Sequence, residues 1–281
     1  MSAEPSNPQW GASYRLVAAE KWKAKSAAMG RAVTDALVAY AHPRPGMAVL
    51  DLASGTGEPA ISLASKVGAE GHVTALDLSA DLLKIAEERA RQRGFTNVST
   101  SQADAHHPQF PDASFDLVTC RFGVMFFSDP GRALCETHRV LKPGGRACFL
   151  AWGPFEQPYW SSTMGVVHKH VGGPIMAPGG PNMFRFAEPG SLSAALRQAG
   201  FRTVEEETRT LPWTWPGSVE EVWHRARRFV HRVQSRAVAR FEVGRNRDRD
   251  FGSDALNHRQ HLFARDALAI GIAERVRDRR A

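Results

Sequence analysis

The stretch Val49-Leu-Asp-Leu-Ala-Ser-Gly-Thr-Gly-Glu-Pro59, continued by Ala60-Ile-Ser-Leu-Ala64, leaves the chain few folds to choose from. Ala48 to Leu52 is a short apolar run of the kind that forms a strand buried on both faces. It breaks at Ser54-Gly-Thr-Gly57, and apolar residues resume with helical spacing at Ala60, Ile61 and Ala64. Pro59 suits only the first turn of such a helix, where no amide hydrogen is needed. A strand, a glycine turn and a helix start therefore follow in one line. Glycine lets the backbone approach a ligand closely, and the free amides at a helix start favour polar or anionic groups.

Two kinds of ligand fit this turn. Gly55-x-Gly57-x-x-Ala60 meets the loose dinucleotide fingerprint, and Asp77, twenty residues past Gly57, stands where a ribose-binding acid belongs. Asp51 separates the readings, because it places an acid inside the strand four residues before Gly55. A carboxylate there repels a pyrophosphate but suits a cofactor carrying an amino group and a sulfonium. Asp51-Leu-Ala-Ser-Gly-Thr-Gly57 resembles motif I of the class I S-adenosylmethionine-dependent methyltransferases, with Ala53 where the commonest form has its first glycine.

Further along, strands alternate with helices. Gly71 to Asp77 reads as a second strand, Ser79 as the cap of a helix burying Leu82, Leu83, Ile85 and Ala86, and Asn97 to Gln102 as a third strand. Phe115 to Cys120 is a fourth strand, Asp129-Pro130 opens a helix, and Arg146 to Trp152 is a fifth strand after the turn Lys142-Pro-Gly-Gly145. Such alternation predicts an α/β fold, a mostly parallel sheet with helices on both faces. Ligands in these sheets bind at the C-terminal strand ends, where Asp51, Asp77, Asp104 and Arg121 fall.

Val73 to Asp77, Gln102-Ala-Asp104-Ala105, Phe115-Asp116-Leu-Val and Leu141-Lys-Pro-Gly-Gly145 match successive methyltransferase motifs in order. The run Cys120-Arg-Phe-Gly-Val-Met-Phe-Phe127 resembles the branch containing the ubiquinone/menaquinone C-methyltransferases, and the likeness covers about residues 10 to 215. It implies a Rossmann-like methyltransferase fold, a methyltransferase activity and S-adenosylmethionine as cofactor. It also implies site roles. Asp51 and the backbone of Ala53, Ser54, Gly55 and Gly57 would hold the methionine portion. Asp77 would take the ribose hydroxyls, with Leu78 beside it. Asp104 and Ala105 would address the adenine, and Arg121 would lie beside the methyl-transfer site. Asp116, at a strand start, reads as structural.

Residues 1–42 are expected to form a helical cap over the cofactor, with Tyr14 and Lys21 as candidate contacts. Residues 43–217 form the expected methyltransferase domain. Its segment 153–190 is long and broken by prolines and glycines, and it carries Phe155, Tyr159, Trp160, Met164, Met176, Met183, Phe184 and Phe186. It is either a lid suited to a small apolar or aromatic acceptor or a layer packed over the sheet edge. His106, His107, His168 and His170 are candidate general bases without a distinguishing feature, and no metal site is expected.

The net charge of +7 is not spread evenly. Residues 223–281 hold fifteen Arg against seven Asp or Glu, whereas the rest is near neutral with 21 basic and 22 acidic groups. Contact with RNA or another polyanion would therefore run through the tail alone. A helix is expected from Ser218 to about Phe241, but nothing after it reads as the seventh strand this fold needs. Residues 245–281 read as a basic appendage, a solvated end, or an end read in a shifted frame. Cys120, Cys135 and Cys148 lack metal spacing, and with no signal core or 18-residue apolar run the expectation is a cytoplasmic protein with reduced thiols. Two other classes remain. A nicotinamide oxidoreductase leaves Asp51 and Asp104 unexplained, and an inactive relative would keep the fold without turnover.

Overall fold

The computed structural model describes residues 30–157, 160, 161, 165, 168, 169, 182–214 and 263–274. The expected cap residues Tyr14 and Lys21, most of the 158–181 insert and the helix expected after Ser218 lie outside the described residues. Helix α1 (Arg31–Ala41) leads into β1 (Ala48–Leu52), α2 (Ala60–Val67), β2 (His72–Asp77), α3 (Ala80–Gln92), β3 (Val98–Gln102) and β4 (Phe115–Arg121). Then follow α4 (Pro130–Val140), β5 (Leu141–Trp152), α5 (Ser191–Gln198), β6 (Thr203–Thr214) and β7 (Phe263–Glu274).

The strands form one sheet in the order β3-β2-β1-β4-β5-β7-β6. The first five are parallel. Central position explains the composition of β1. With neighbours on both edges and helices packed across it, Val49, Leu50 and Leu52 are all buried, and each such side chain contributes about 2 kcal/mol. Edge strand β3 is correspondingly polar, Val-Ser-Thr-Ser-Gln, and half-buried along most of its length.

The helices obey their apolar periodicity and have identifiable ends. α2 buries Ala60, Ile61, Leu63, Ala64 and Val67. The Asn97 side chain donates to the carbonyls of Ala64 and Gly68, which satisfies acceptors at the C-terminal end of α2. Ser79 caps α3 by accepting from the Leu82 amide, as its position predicts, and Leu82, Leu83 and Ala86 are buried. Asp129 caps α4 through the Arg132 amide, with Pro130 in the first turn. Asp116 is structural, as expected: it accepts from the Ala48 amide and from the Lys142 ammonium, tying β1, β4 and β5 together.

Three differences from the sequence reading have physical causes. β5 begins at Leu141, not Arg146, because the Lys142–Gly145 turn sits inside the strand as an irregularity opposite Phe115 and Leu117. β6 spans Thr203–Thr214, beyond the Phe201 to Thr208 that the sequence marks as a sixth strand, because it has a partner along its whole length. That partner is the seventh strand. β7 pairs antiparallel with β5 on one side and β6 on the other, Phe149 and Glu206 both facing Gly271. The expectation that no late run forms this strand is corrected. Phe-Ala-Arg-Asp-Ala-Leu-Ala-Ile-Gly-Ile-Ala-Glu lacks the alternation and β-branched density that mark a strand locally, and its pairing comes from the two waiting edges.

Candidate functional site

Strand order reverses between β1 and β4, and a crevice opens at such a point beyond the C-terminal strand ends. Four chain segments converge there: the glycine loop after β1, Asp77 at the end of β2, Asp104 past the end of β3, and Arg121 to Gly123 leaving β4.

The glycine loop is held from below and from the side. Asp51 is wholly buried, and one carboxylate oxygen accepts from the Thr119 hydroxyl at 2.7 Å while the other accepts from the Ala60 amide at 3.2 Å. Burial pushes its pKa up to about 7, against the lowering effects of Thr119, the Arg121 charge and the Ala60 amide. Asp51 therefore pins β1 to β4 and to the start of α2. On the outer side, the Arg89 guanidinium donates to the carbonyl and hydroxyl of Thr56.

Conformation shows why glycine recurs in this loop. Gly55 lies at φ +56 with open space where a Cβ would project, so the loop presents bare backbone to the crevice. At Gly57, φ +102, a Cβ would meet Ile61 and Ala86, and glycine allows the loop to lie against α3. Ala53 also adopts a left-handed conformation, φ +52, at the position where the resemblance expects glycine. Its methyl points at Gly123, where any Cβ would come within 2.5 Å of it.

Asp77 links two elements. Its oxygens accept from the amides of Gly55 and Ser79, both at 2.9 Å, and burial raises its pKa against those bonds. The Leu78 amide also acts on this carboxylate and lowers its pKa. Leu78 beside it is 57% exposed, and no other large hydrophobic among the described residues is as open. Asp104 accepts from both the backbone amide and the Nδ1 of His106, in each case through Oδ1. Ala105 is buried behind it. The Ser54 hydroxyl is buried with no hydrogen-bond partner among the described residues.

Arg121 closes β4. Its Nη1 donates to the Thr34 hydroxyl at 2.8 Å and lies 3.4 Å from the Gly30 carbonyl, so it ties the start of α1 to the end of β4. The next residue, Phe122, is a bulky side chain at φ +59, a strained conformation of the kind found beside functional sites. Its ring stacks on Trp152 at the end of β5, centroids 4.5 Å apart. Trp152 meets Trp160 edge-on, Trp160 meets Phe184, and Phe184 meets Phe155. The aromatic residues of the insert thus continue a wall that begins at the end of β4. Thr119, Arg89 and His106 were missed as site supports. Only Thr119 left a sequence signal, as a polar residue inside an apolar strand.

Among the described residues no general base stands out, and His170 lies outside them. Nε2 of His106 accepts from the Asp129 amide at 3.1 Å, so its lone pair is engaged. His107 Nδ1 lies 3.0 Å from the Arg132 guanidinium. Among the described residues no cluster of His, Cys, Asp or Glu could hold a metal ion, and no helix is long and apolar enough to cross a membrane.

The sequence model of the ubiE/COQ5 methyltransferase family matches residues 26–176, more than half of the chain. The chain belongs to that family. The ubiquinone/menaquinone biosynthesis C-methyltransferase UbiE of Ralstonia pickettii is 33% identical over 180 residues, which are 60% of this chain and 72% of that protein. The UbiE of Brucella anthropi is 40% identical over 136 residues, 47% of this chain and 52% of that protein, so the chain spans about half the length of the Brucella relatives. The [4+2]-cyclase SpnF has a TM-score of 0.60 at 24% identity, covering 97% of this chain and 98% of its own. Phosphoethanolamine N-methyltransferase 2 of Haemonchus contortus, solved with S-adenosylhomocysteine, has a TM-score of 0.59 at 18% identity, covering 94% and 59%. These two show a shared Rossmann-like methyltransferase fold, and S-adenosylmethionine is the cofactor of the family the chain belongs to.

Proposed function

We propose that this ubiE/COQ5 family member transfers the methyl group of S-adenosylmethionine to a small, apolar or aromatic organic acceptor. One observation carries the cofactor half. Asp77 at the end of β2 and Asp104 just past the end of the neighbouring β3 stand with Leu78, an exposed apolar side chain next to Asp77, and with a loop of bare backbone at Gly55 that donates to Asp77. Two acids with an apolar surface and bare backbone nearby suit a nucleoside: hydroxyls to one carboxylate, an amino group to the other, a flat base across the leucine. The buried Ser54 hydroxyl offers a further polar contact in the same loop. Bound S-adenosylmethionine supplies a methyl group already activated on a sulfonium.

Little covalent chemistry is then asked of the chain. Its residues hold donor and acceptor in line and exclude water, which is worth several kcal/mol of barrier. Phe122, Trp152 and Trp160 form an apolar wall at the ends of β4 and β5, and this favours a flat, poorly hydrated acceptor. Cys120, just below the site, is fully buried and its thiol pKa is pushed up, so it stays protonated and takes no part as a nucleophile. The UbiE relatives are named for carbon methylation in ubiquinone and menaquinone biosynthesis, which makes phenols and quinols the first acceptors to try.

Calorimetric titration with S-adenosylmethionine and S-adenosylhomocysteine, with NAD(H) as control, tests the cofactor half. Micromolar binding that disappears in Asp77→Ala is expected, and binding of NAD(H) instead would overturn the reading. Transfer of labelled methyl to a panel of phenols, quinols, amines and phosphobases tests the acceptor half. Labelling confined to the amines or phosphobases would sink it.

A further inference from the structure

The resemblance gives adenine recognition to Asp104, but a surface carboxylate on a loop does not by itself point anywhere. We infer that His106 is the positioning residue that aims Asp104, and that it also ties the adenine loop to the start of α4. This rests on the cofactor reading above.

The tautomer of His106 follows from its partners. The Asp129 backbone amide can only donate, and it meets Nε2 at 3.1 Å, so Nε2 carries the lone pair. The Ser128 hydroxyl lies 3.3 Å from the same nitrogen. In the neutral ring the proton must then sit on Nδ1, which donates it to Oδ1 of Asp104. The His106 amide donates to that same oxygen at 2.9 Å. Two donors on Oδ1 fix the rotation of the carboxylate. Oδ2 accepts no hydrogen bond among the described residues and is left for an incoming donor. The exocyclic amino group of adenine is such a donor.

The ring is held as firmly as the carboxylate it holds. Its side chain is only 12% exposed, against 40% for Asp104, and Phe127 meets it edge-on. Arg132, on the first turn of α4, donates to the His106 carbonyl at 3.2 Å. Residues 104–107 and 127–132 are thus clamped together, so the acid that reads the base moves with the segment that follows β4. Nothing in the sequence marks His106 for this task, because a histidine two residues past an acid has no fixed meaning until the tautomer is known.

The two ring nitrogens can be replaced separately. The amide nitrogen of asparagine falls near Nδ1, so His106→Asn keeps a donor for Asp104 and loses the bond to Asp129. The amide oxygen of glutamine reaches the place of Nε2, so His106→Gln keeps the bond to Asp129 and loses the donor for Asp104. Calorimetry with S-adenosylhomocysteine and with its analogue lacking the six-amino group reads the aim of the carboxylate directly. Wild type should favour S-adenosylhomocysteine by about tenfold, the value of one hydrogen bond to a charged group. His106→Asn should keep most of that preference, and His106→Gln should lose it, both with thermal midpoints near wild type. A merely structural histidine predicts equal preference in the two variants, or retention in Gln and loss in Asn, and either result overturns the inference. Wild-type binding with no preference for the amino group would also overturn it while leaving the cofactor reading intact. Failure of wild type to bind S-adenosylhomocysteine would remove both.

Discussion

Ala53 holds the left-handed conformation of a glycine, and the strain has a measurable size. A Cβ in that region costs on the order of 1 kcal/mol, so Ala53→Gly should stabilise the fold by about that amount in chemical denaturation. Gly123→Ala should do the reverse, because its new methyl would meet Ala53 Cβ at 2.5 Å and Cys120 Sγ at 2.8 Å. In a double-mutant cycle Ala53→Gly should restore part of that loss, and strict additivity would show that the two loops do not press on each other. Asp51 gives a pH signature. Its pKa is about 7 in the fold against an ordinary value of 3.8, so the folded state holds the proton more tightly. The stability it contributes is complete below about pH 4 and is lost as pH rises through about 7. Asp51→Asn, which keeps an acceptor for Ala60, removes that slope. Thermal midpoints of the variant should gain on wild type steadily from pH 5 to pH 7 and level off above, and parallel curves would contradict the burial of the charge. At this scale the sequence named Asp51, Asp77 and Asp104 correctly as acids at strand ends. The partners that hold Asp51 and Arg121, Thr119 and Thr34, lie far away in the chain, so those pairings were not legible locally.

At the scale of elements, local pattern sufficed wherever an element carries its own signals. β1, α3 and α4 have buried runs, caps and prolines in place, and their limits fall within a residue or two of expectation. β7 carries none of these. Its alanines and lone glycine form a strand only because β5 and β6 offer unpaired backbone on either side. Dependence on pairing can be tested by Ile270→Pro, which removes an amide from a strand bonded to Leu150 on one side and Glu207 on the other. The loss should be on the order of 3 kcal/mol in denaturant unfolding, with reduced soluble yield. An unchanged unfolding midpoint would mean the strand adds nothing to the sheet.

The whole molecule divides by chemistry more than by chain position. The body of the protein is near neutral, and the excess of arginine lies beyond residue 222, in the stretch that also supplies β7. Residues 263–274 of that stretch are paired into the sheet on both sides, so the sheet is built from both ends of the sequence. Saturating S-adenosylhomocysteine should stabilise that structure as a unit, by about 2.7 kcal/mol at a hundredfold excess over Kd, visible as a single shifted thermal transition. The order of synthesis sets a further condition. β6 leaves the ribosome about fifty residues ahead of β7, counting from Thr214 to Phe263, and at 5–20 residues per second that is a wait of several seconds. Throughout it, the edges of β5 and β6 that will close over β7 are open to solvent and to other nascent chains. A message broken or a translation stalled anywhere in that interval yields a polypeptide with the whole cofactor crevice and an unsealed sheet. The cell would meet it as an aggregation hazard before it could meet it as a defective enzyme.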